Sequence, residues 1–379
     1  VEIEQARDRA LISASEQFAN AVSTVTNDNF IPYAAEPYEK VFLHTFQMVN
    51  FLALGDMEAA LVEARRAQNE QRFAERLLDA KVAAAKDAAA EQELPDARFD
   101  AVAGTAYERM LRTVGEVKET TLNGYTRFLS AVLWEATGNI DSAYLDYKKA
   151  LELAPDNLFA RVAAERLALS GGFQDSFAQS LASGYGPGVS GSGEGRVVVF
   201  IEEGFVSAKR ELKLPLILDG RSYTLAMPYY AAGGFAPLAE VRVGRLPAAQ
   251  AEPLTQVDAL ATHALMKDYY TVFVRQALRL VAKHVVQKEI QKENQDLVLL
   301  FAIANTIIER ADLRSWLTLP ASVQVVDLPV PAGIHPLTVS SGRGGQMEAV
   351  EVPVEPGRIT VVRIASARGA YYPLILGPF

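Results

Sequence analysis

The chain has 379 residues, half of them hydrophobic and 22% charged, with a formal net charge of −9. That length supports two or three domains and a sizeable core. The acidic balance argues against a nucleic-acid backbone as the main partner, because phosphate binding needs a concentrated positive surface. The absence of cysteine excludes disulfides, thiolate metal sites and cysteine nucleophiles.

Residues 1–10, VEIEQARDRA, lack the charged and apolar regions of a signal peptide, and a start without Met reads as processed or trimmed. Ala6, Ala10, Leu11, Ala14, Phe18 and Val22 then predict a helix over 6–25, stopped by Asn27-Asp28-Asn29 and Pro32. A second helix is expected over 41–54, a break at Gly55-Asp56, and a third helix over 57–78. An Ala/Lys/Glu-rich helix over 73–93, a loop around Pro95-Asp96 and a helical run from Ala103 follow. The clearest stretch is 128–157. Its apolar helix reaches Thr137, breaks at Gly138-Asn139 and resumes with Ala143, Tyr147, Ala150 and Leu153 before Pro155. A last helix over 157–169 ends at Gly171-Gly172.

The two breaks have the same surroundings. Gly55 is followed by Ala60, Ala64 and Ala67, and Gly138 by Ala143, Tyr147 and Ala150, at identical spacing. Small residues let two helix axes approach, and Gly frees the backbone for the turn. On these residues the stretch 126–157 resembles a tetratricopeptide repeat, with Gly138, Ala143, Tyr147, Ala150 and Pro155 on signature positions. Residues 41–74 resemble a weaker copy, with Arg72 where Pro would stand. The intervening residues make this a decorated array. The resemblance implies a concave groove that binds a protein partner, lined by Tyr125, Phe128, Val132, Glu135 and Ala136, and in the first unit by Phe42, Thr45, Val49, Leu52 and Ala53. These are mostly apolar, unlike a clamp for a peptide carboxylate. Either the groove holds an apolar segment or the chain's own extra helices fill it; the second is preferred, because exposed apolar strips are costly.

Residues 171–195 read as a Gly/Ser-rich linker. Gly186, Gly188 and Gly191 satisfy G-x-G-x-x-G, but no strand precedes them, so a dinucleotide site is not expected. From Arg196 the pattern becomes β: strands are expected over 196–203, 208–218, 223–230 and 238–243, and again over 322–328, 334–339, 347–354 and 358–365. Between them lie two expected helices, 256–287 and 288–311. The second carries LVLLFAIANTII and is apolar nearly all round, which reads first as a core helix and otherwise as an inter-subunit or lipid-facing one. The fold class is therefore α+β: a tetratricopeptide-like helical domain over 1–170, a linker over 171–195, and a β-rich, sandwich-like domain over 196–379 with a long helix pair inserted at about 256–311.

Residues 309–339, ERADLRSWLTLPASVQVVDLPVPAGIHPLTV, and 195–204, GRVVVFIEEG, resemble an uncharacterised family of bacterial envelope lipoproteins. That resemblance implies a periplasmic protein tethered to the outer membrane by a lipid on a Cys preceding Val1. Its implied partners are other envelope lipoproteins or further copies of the chain.

No catalytic pattern stands out. His44, His263, His284 and His335 are not spaced as ligands on one helix. Neither G-x-S-x-G, a P-loop nor H-E-x-x-H occurs. Glu202 and Glu203 are neighbours on a strand and point to opposite faces. Arg310, Asp312 and Arg314 before Trp316 form either a salt-bridge network at a helix end or a partner contact. The expectation is a non-enzymatic interaction or assembly component of the cell envelope, without cofactor or metal, whose candidate partner-binding residues are Tyr125, Phe128, Val132, Glu135, Arg310, Arg314 and Trp316. The alternatives are a subunit of an oligomeric secretion or pore complex and, less favoured, an enzyme with dispersed site residues.

Overall fold

A computed structural model of the chain describes residues 33–91, 123–173, 193–218, 221–231, 236–293, 310–340 and 345–379, with isolated positions between 104 and 114. The expected helix at 6–25, the loop at Pro95-Asp96, the three linker glycines and the apolar run 297–308 lie outside the described residues. The protein is α+β, with most helices in the first half and one long helix among the strands of the second.

Helices α1 (Pro37–Ala53) and α2 (Met57–Glu91) form one antiparallel pair, and α3 (Gly124–Ala136) and α4 (Ile140–Leu153) another. Their turns are the same. Gly55 and Gly138 both sit at φ +76°, a left-handed conformation that glycine adopts without a Cβ penalty. In each turn the next residue's N–H reaches back five positions, from Asp56 to Phe51 and from Asn139 to Trp134. Ala60, Ala64 and Ala67 in one pair, and Ala143 and Ala150 in the other, are fully buried at the helix crossing. The Thr45 and Thr126 hydroxyls share a 2.7 Å hydrogen bond between α1 and α3. Helix α5 (Leu158–Ser170) packs on α4. One expectation is corrected: 57–78 and 73–93 are a single 35-residue helix, since nothing between Leu78 and Ala85 breaks it.

Beyond α5 come β1 (Glu194–Glu203), the hairpin β2 (Arg210–Leu218) and β3 (Arg221–Tyr229), β4 (Glu240–Val243), β5 (Ala249–Gln250) and β6 (Glu252–Gln256). Helix α6 (Val257–Glu293) follows, then β7 (Ser322–Pro331), β8 (Gly333–Ser340), β9 (Val350–Val354), β10 (Ile359–Ala367) and β11 (Ala370–Leu376). One sheet runs β11-β10-β1-β7-β6, with only the β1–β10 pair parallel; a second runs β5-β4-β8-β9. Pro215 and Pro228 lie inside the β2–β3 hairpin, whose two strands pair only with each other among the described residues. Helix α6 packs on α2 and β3 and runs six residues past the break expected at 287; as 294–309 are not described, a helix pair is not seen. Among the described residues no helix is long and apolar enough to cross a membrane.

Side chains alternate across β1. Val197, Val199 and Ile201 meet Val241, Leu337, Val339 and Val352 of the second sheet, in a core between the two sheets. Val198 and Phe200 point the other way and join a larger core with Phe42, Phe128, Val132, Tyr147 and Tyr269 of the helices. Strand β1 is thus covered on both faces, which explains its unbroken apolar run.

Candidate functional site

The strip expected to bind a partner faces β1. Tyr125, Phe128 and Val132 on α3 are fully buried, and so are Phe42 and Thr45 of the first unit, with Val49 and Leu52 nearly so. Of the expected lining residues in α1, Ala53 alone is exposed. Phe200 of β1 lies 4.9 Å from the Tyr125 ring and meets the Phe128 ring edge-on at 5.8 Å, while Phe128 in turn is edge-on to Tyr147 at 5.0 Å. The strip on α3 is occupied by the chain's own sheet, and Ala85, Ala89, Met110 and Val114 of the extra helical stretch belong to the same core. The reason is geometric: an apolar strip on a helix layer and an apolar face on a sheet each need a cover, and here each supplies the other.

The helix-facing side of β1 reads Arg196, Val198, Phe200, Glu202, with a charge at each end. Both charges are satisfied across the seam. The Tyr125 hydroxyl donates to Glu202 at 3.0 Å, and the Arg363 guanidinium of β10 donates twice to the same carboxylate, at 2.7 and 2.6 Å. Arg363 also lies over the Phe46 ring of α1. Burial, with the Glu202 charge beside it, drives the Tyr125 hydroxyl well above its usual pKa, so it stays a donor. At the other end Arg196 reaches Glu135 of α3 at 2.6 Å, the two Asp327 oxygens at 3.0 and 2.8 Å, and the Tyr147 hydroxyl at 3.1 Å. Arg166 of α5 meets the same Glu135 Oε1 at 2.5 Å. Burial works to raise the Glu135 pKa, but Arg196 and Arg166 outweigh it and hold the carboxyl at about 2. Burying a guanidinium this deeply is tolerable only because its donors meet carboxylates and a hydroxyl.

Beside this network a cleft of about 690 Å³ opens between the α3–α4 turn, the end of α5 and the β9–β10 turn, lined by Ala136, Ile140, Leu169, Arg166, Arg358 and Ile359 among others. Glu135 is the expected site residue that reaches it. Gly195 is required on its floor: a Cβ there would lie 2.3 Å from the Glu355 carbonyl oxygen.

Arg310, Arg314 and Trp316 lie elsewhere, in a non-helical segment running beside α1. Arg310 is exposed. The Arg314 guanidinium closes on Asp312 at 2.9 and 2.8 Å and lies over the Tyr33 ring. The Trp316 ring meets Phe46 edge-on at 5.9 Å, and its backbone N–H donates to Glu39 at 2.7 Å. The expected salt bridge exists between Asp312 and Arg314. Glu39 is the residue that sequence reasoning missed. Its carboxylate also accepts from the Glu36 N–H at 2.8 Å and from the Tyr33 hydroxyl, so it caps α1 and holds the 310–318 segment at once. The signal available was Glu36-Pro37 followed by Glu39 at a helix start.

The histidines have separate roles. Nδ1 of His44 meets Glu63 at 2.6 Å, Nδ1 of His284 meets the Tyr223 hydroxyl at 2.5 Å, and Nε2 of His335 meets the Pro331 carbonyl at 2.8 Å. His335 lies in β8, with Pro336 beside it in the same strand. Among the described residues no group of three or more His, Asp or Glu could hold a metal ion. No family model, no curated protein and no solved structure matches the chain.

Proposed function

We propose that this chain is a non-enzymatic interaction or assembly component of the bacterial cell envelope, in which a tetratricopeptide-like helical half serves as a frame and partners dock on its outside. The observation that carries the reading is the filled inner strip. Tyr125, Phe128 and Val132 are spent on Phe200 and its neighbours, so surface left for a partner lies in clefts at and beyond the seam. The matched glycine turns and the buried alanines at both helix crossings support the repeat reading. The envelope placement and the lipid tether rest on the resemblance of residues 195–204 and 309–339, and the partners so implied are other envelope lipoproteins or further copies of the chain.

Site-specific photocrosslinking in the bacterial host tests this. A crosslinker placed at Ile140 or Leu169, on the 690 Å³ cleft, should trap discrete protein partners, and one at buried Tyr125 should trap none. A chain that yields no adduct from either position, and that runs as a monodisperse monomer on extraction, would defeat the reading.

A further inference from the structure

We infer that a second cleft, on the outer side of the helical half, is a docking site for an acidic peptide segment. This inference rests on the interaction reading above and gives its partner a chemistry. The cleft holds about 360 Å³ and lies where α2, α3 and α4 meet. Each helix contributes one stripe: Arg65 and Gln68 from α2, Arg127 and Trp134 from α3, and Ser142, Leu145, Asp146 and Lys149 from α4. The last four fall at i, i+3, i+4 and i+7, a single helix face.

Its charge is opposite to that of the chain. The lining holds three cations, Arg65, Arg127 and Lys149, against one carboxylate, Asp146, in a molecule whose net charge is −9. That carboxylate is already enclosed. Arg127 donates to it at 2.8 Å, Gln68 at 2.9 Å and the Trp134 indole at 3.2 Å, and it is buried. Asp146 therefore ties the three helices together and has little charge left to present to the cleft. Arg65 is different. It is exposed, lies 4.9 Å over the Trp134 ring, and has no carboxylate within ion-pair distance among the described residues. Among the described residues Lys149 pairs with the exposed Glu152 at 3.0 Å, and such surface pairs exchange at little cost.

The apolar part of the cleft decides between anions. A site for a lone oxyanion needs donors and little more. Here the cations stand beside Trp134 and Leu145, and Leu145 is 63% exposed. The volume is about ten times that of one water molecule. A Glu-rich segment fits both features: its carboxylates reach Arg65 and Lys149, and its methylene stems or a neighbouring apolar side chain cover Leu145. The Arg65 guanidinium over the Trp134 ring brings a planar fork of donors, suited to a bidentate carboxylate contact, to the apolar part of the cleft.

The test uses the full chain carrying Trp316→Phe, which leaves Trp134 as the one tryptophan. It is titrated with a Glu-rich dodecapeptide carrying Leu at every fourth position, with the same peptide bearing Gln for Glu, and with inorganic phosphate. The Glu peptide should shift Trp134 emission and bind saturably, more weakly as salt rises, with no binding of the Gln peptide. Arg65→Ala combined with Lys149→Ala should weaken it by about tenfold or more, as expected for two lost charge-assisted contacts. Leu145→Asp on the exposed rim should weaken it independently, with the circular-dichroism spectrum unchanged. Equal binding of the Gln peptide, unchanged affinity in both variants, no saturable binding at low salt, or phosphate bound as tightly as the peptide would each overturn the proposal. If one of these results is found while photocrosslinking from the seam cleft still traps partners, the interaction reading stands and only this site for it falls.

Discussion

Phe200 is the side chain on which the two halves meet. It is fully buried, against the Tyr125 and Phe128 rings of α3. Phe200→Ala would leave a cavity that neither a helix nor a central strand can collapse into, and should cost about 3–5 kcal/mol, read as a lower urea midpoint at unchanged slope. Glu135 makes a second prediction at this scale. Its folded pKa of about 2 lies below the usual 4.5, so the native state binds that proton less readily than the unfolded chain does. The stability it contributes is fully present above about pH 4.5 and drains away as pH falls toward 2, about 3 kcal/mol in all. Urea midpoints measured from pH 6 to pH 2 should therefore fall more steeply in the wild type than in Glu135→Gln; parallel curves would contradict the network. Neither partnership could be read from the sequence. Glu135 and Arg196 carry no local mark that they meet, although an arginine and a glutamate framing VVVFI in one strand hinted that both ends of a buried face needed partners.

At the scale of elements, the caps of α3 and α5 also serve as fasteners. Asn123 accepts from the Tyr125 N–H at 3.0 Å and from the Thr255 hydroxyl of β6 at 2.9 Å. Asn157 accepts from the Ala160 N–H while its amide donates to the Pro253 carbonyl, both at 2.8 Å. The two helix starts are thus tied to one short edge strand. Asn157→Ser keeps the cap and loses only the tie, so it should destabilise by less than Asn157→Ala, which loses both; a cap alone is worth about 1 kcal/mol. Gly124 stands where α3 touches that strand. A Cβ there would lie 2.5 Å from the Leu254 carbonyl oxygen, a backbone atom of β6 at the irregular point of its pairing with β7. Gly124→Ala should cost about 1–3 kcal/mol in thermal or urea unfolding, the range for overpacking. Helices α1, α3, α4 and α5 and the strands β1, β7 and β10 were legible because their periodicity is long and their ends are marked. The strands β5, β6 and β11 were not. The first two are two and five residues long, and β11 carries Pro373 and an exposed outer side with no clean alternation. Each of these short strands is held in place by its neighbour in the sheet, which no local pattern records.

At the scale of the molecule, a division at the linker was readable from composition, since helical periodicity stops near residue 170 and β-branched runs begin at 196. The joining of the two parts was not. One continuous core takes in Met48 of α1, Phe128 of α3, Phe200 of β1, Val361 of β10 and Tyr269 of α6. A helical layer and a sheet that share one core cannot each expose its inner face without losing the burial that holds the other. They should therefore unfold together. Hydrogen exchange on the intact chain checks this directly. The slowest amides of α3 and α4 and those of β1 should open with the same free energy, and Phe200→Ala should lower both sets by the same amount, because the opening that exposes one exposes the other. If α3 and α4 kept their protection while β1 lost its own, the halves would be independent domains in contact. The inner strip would then become available to a partner whenever the sheet swung away. Equal shifts would leave a partner only the outer surfaces of the helical half and the open clefts at its seam.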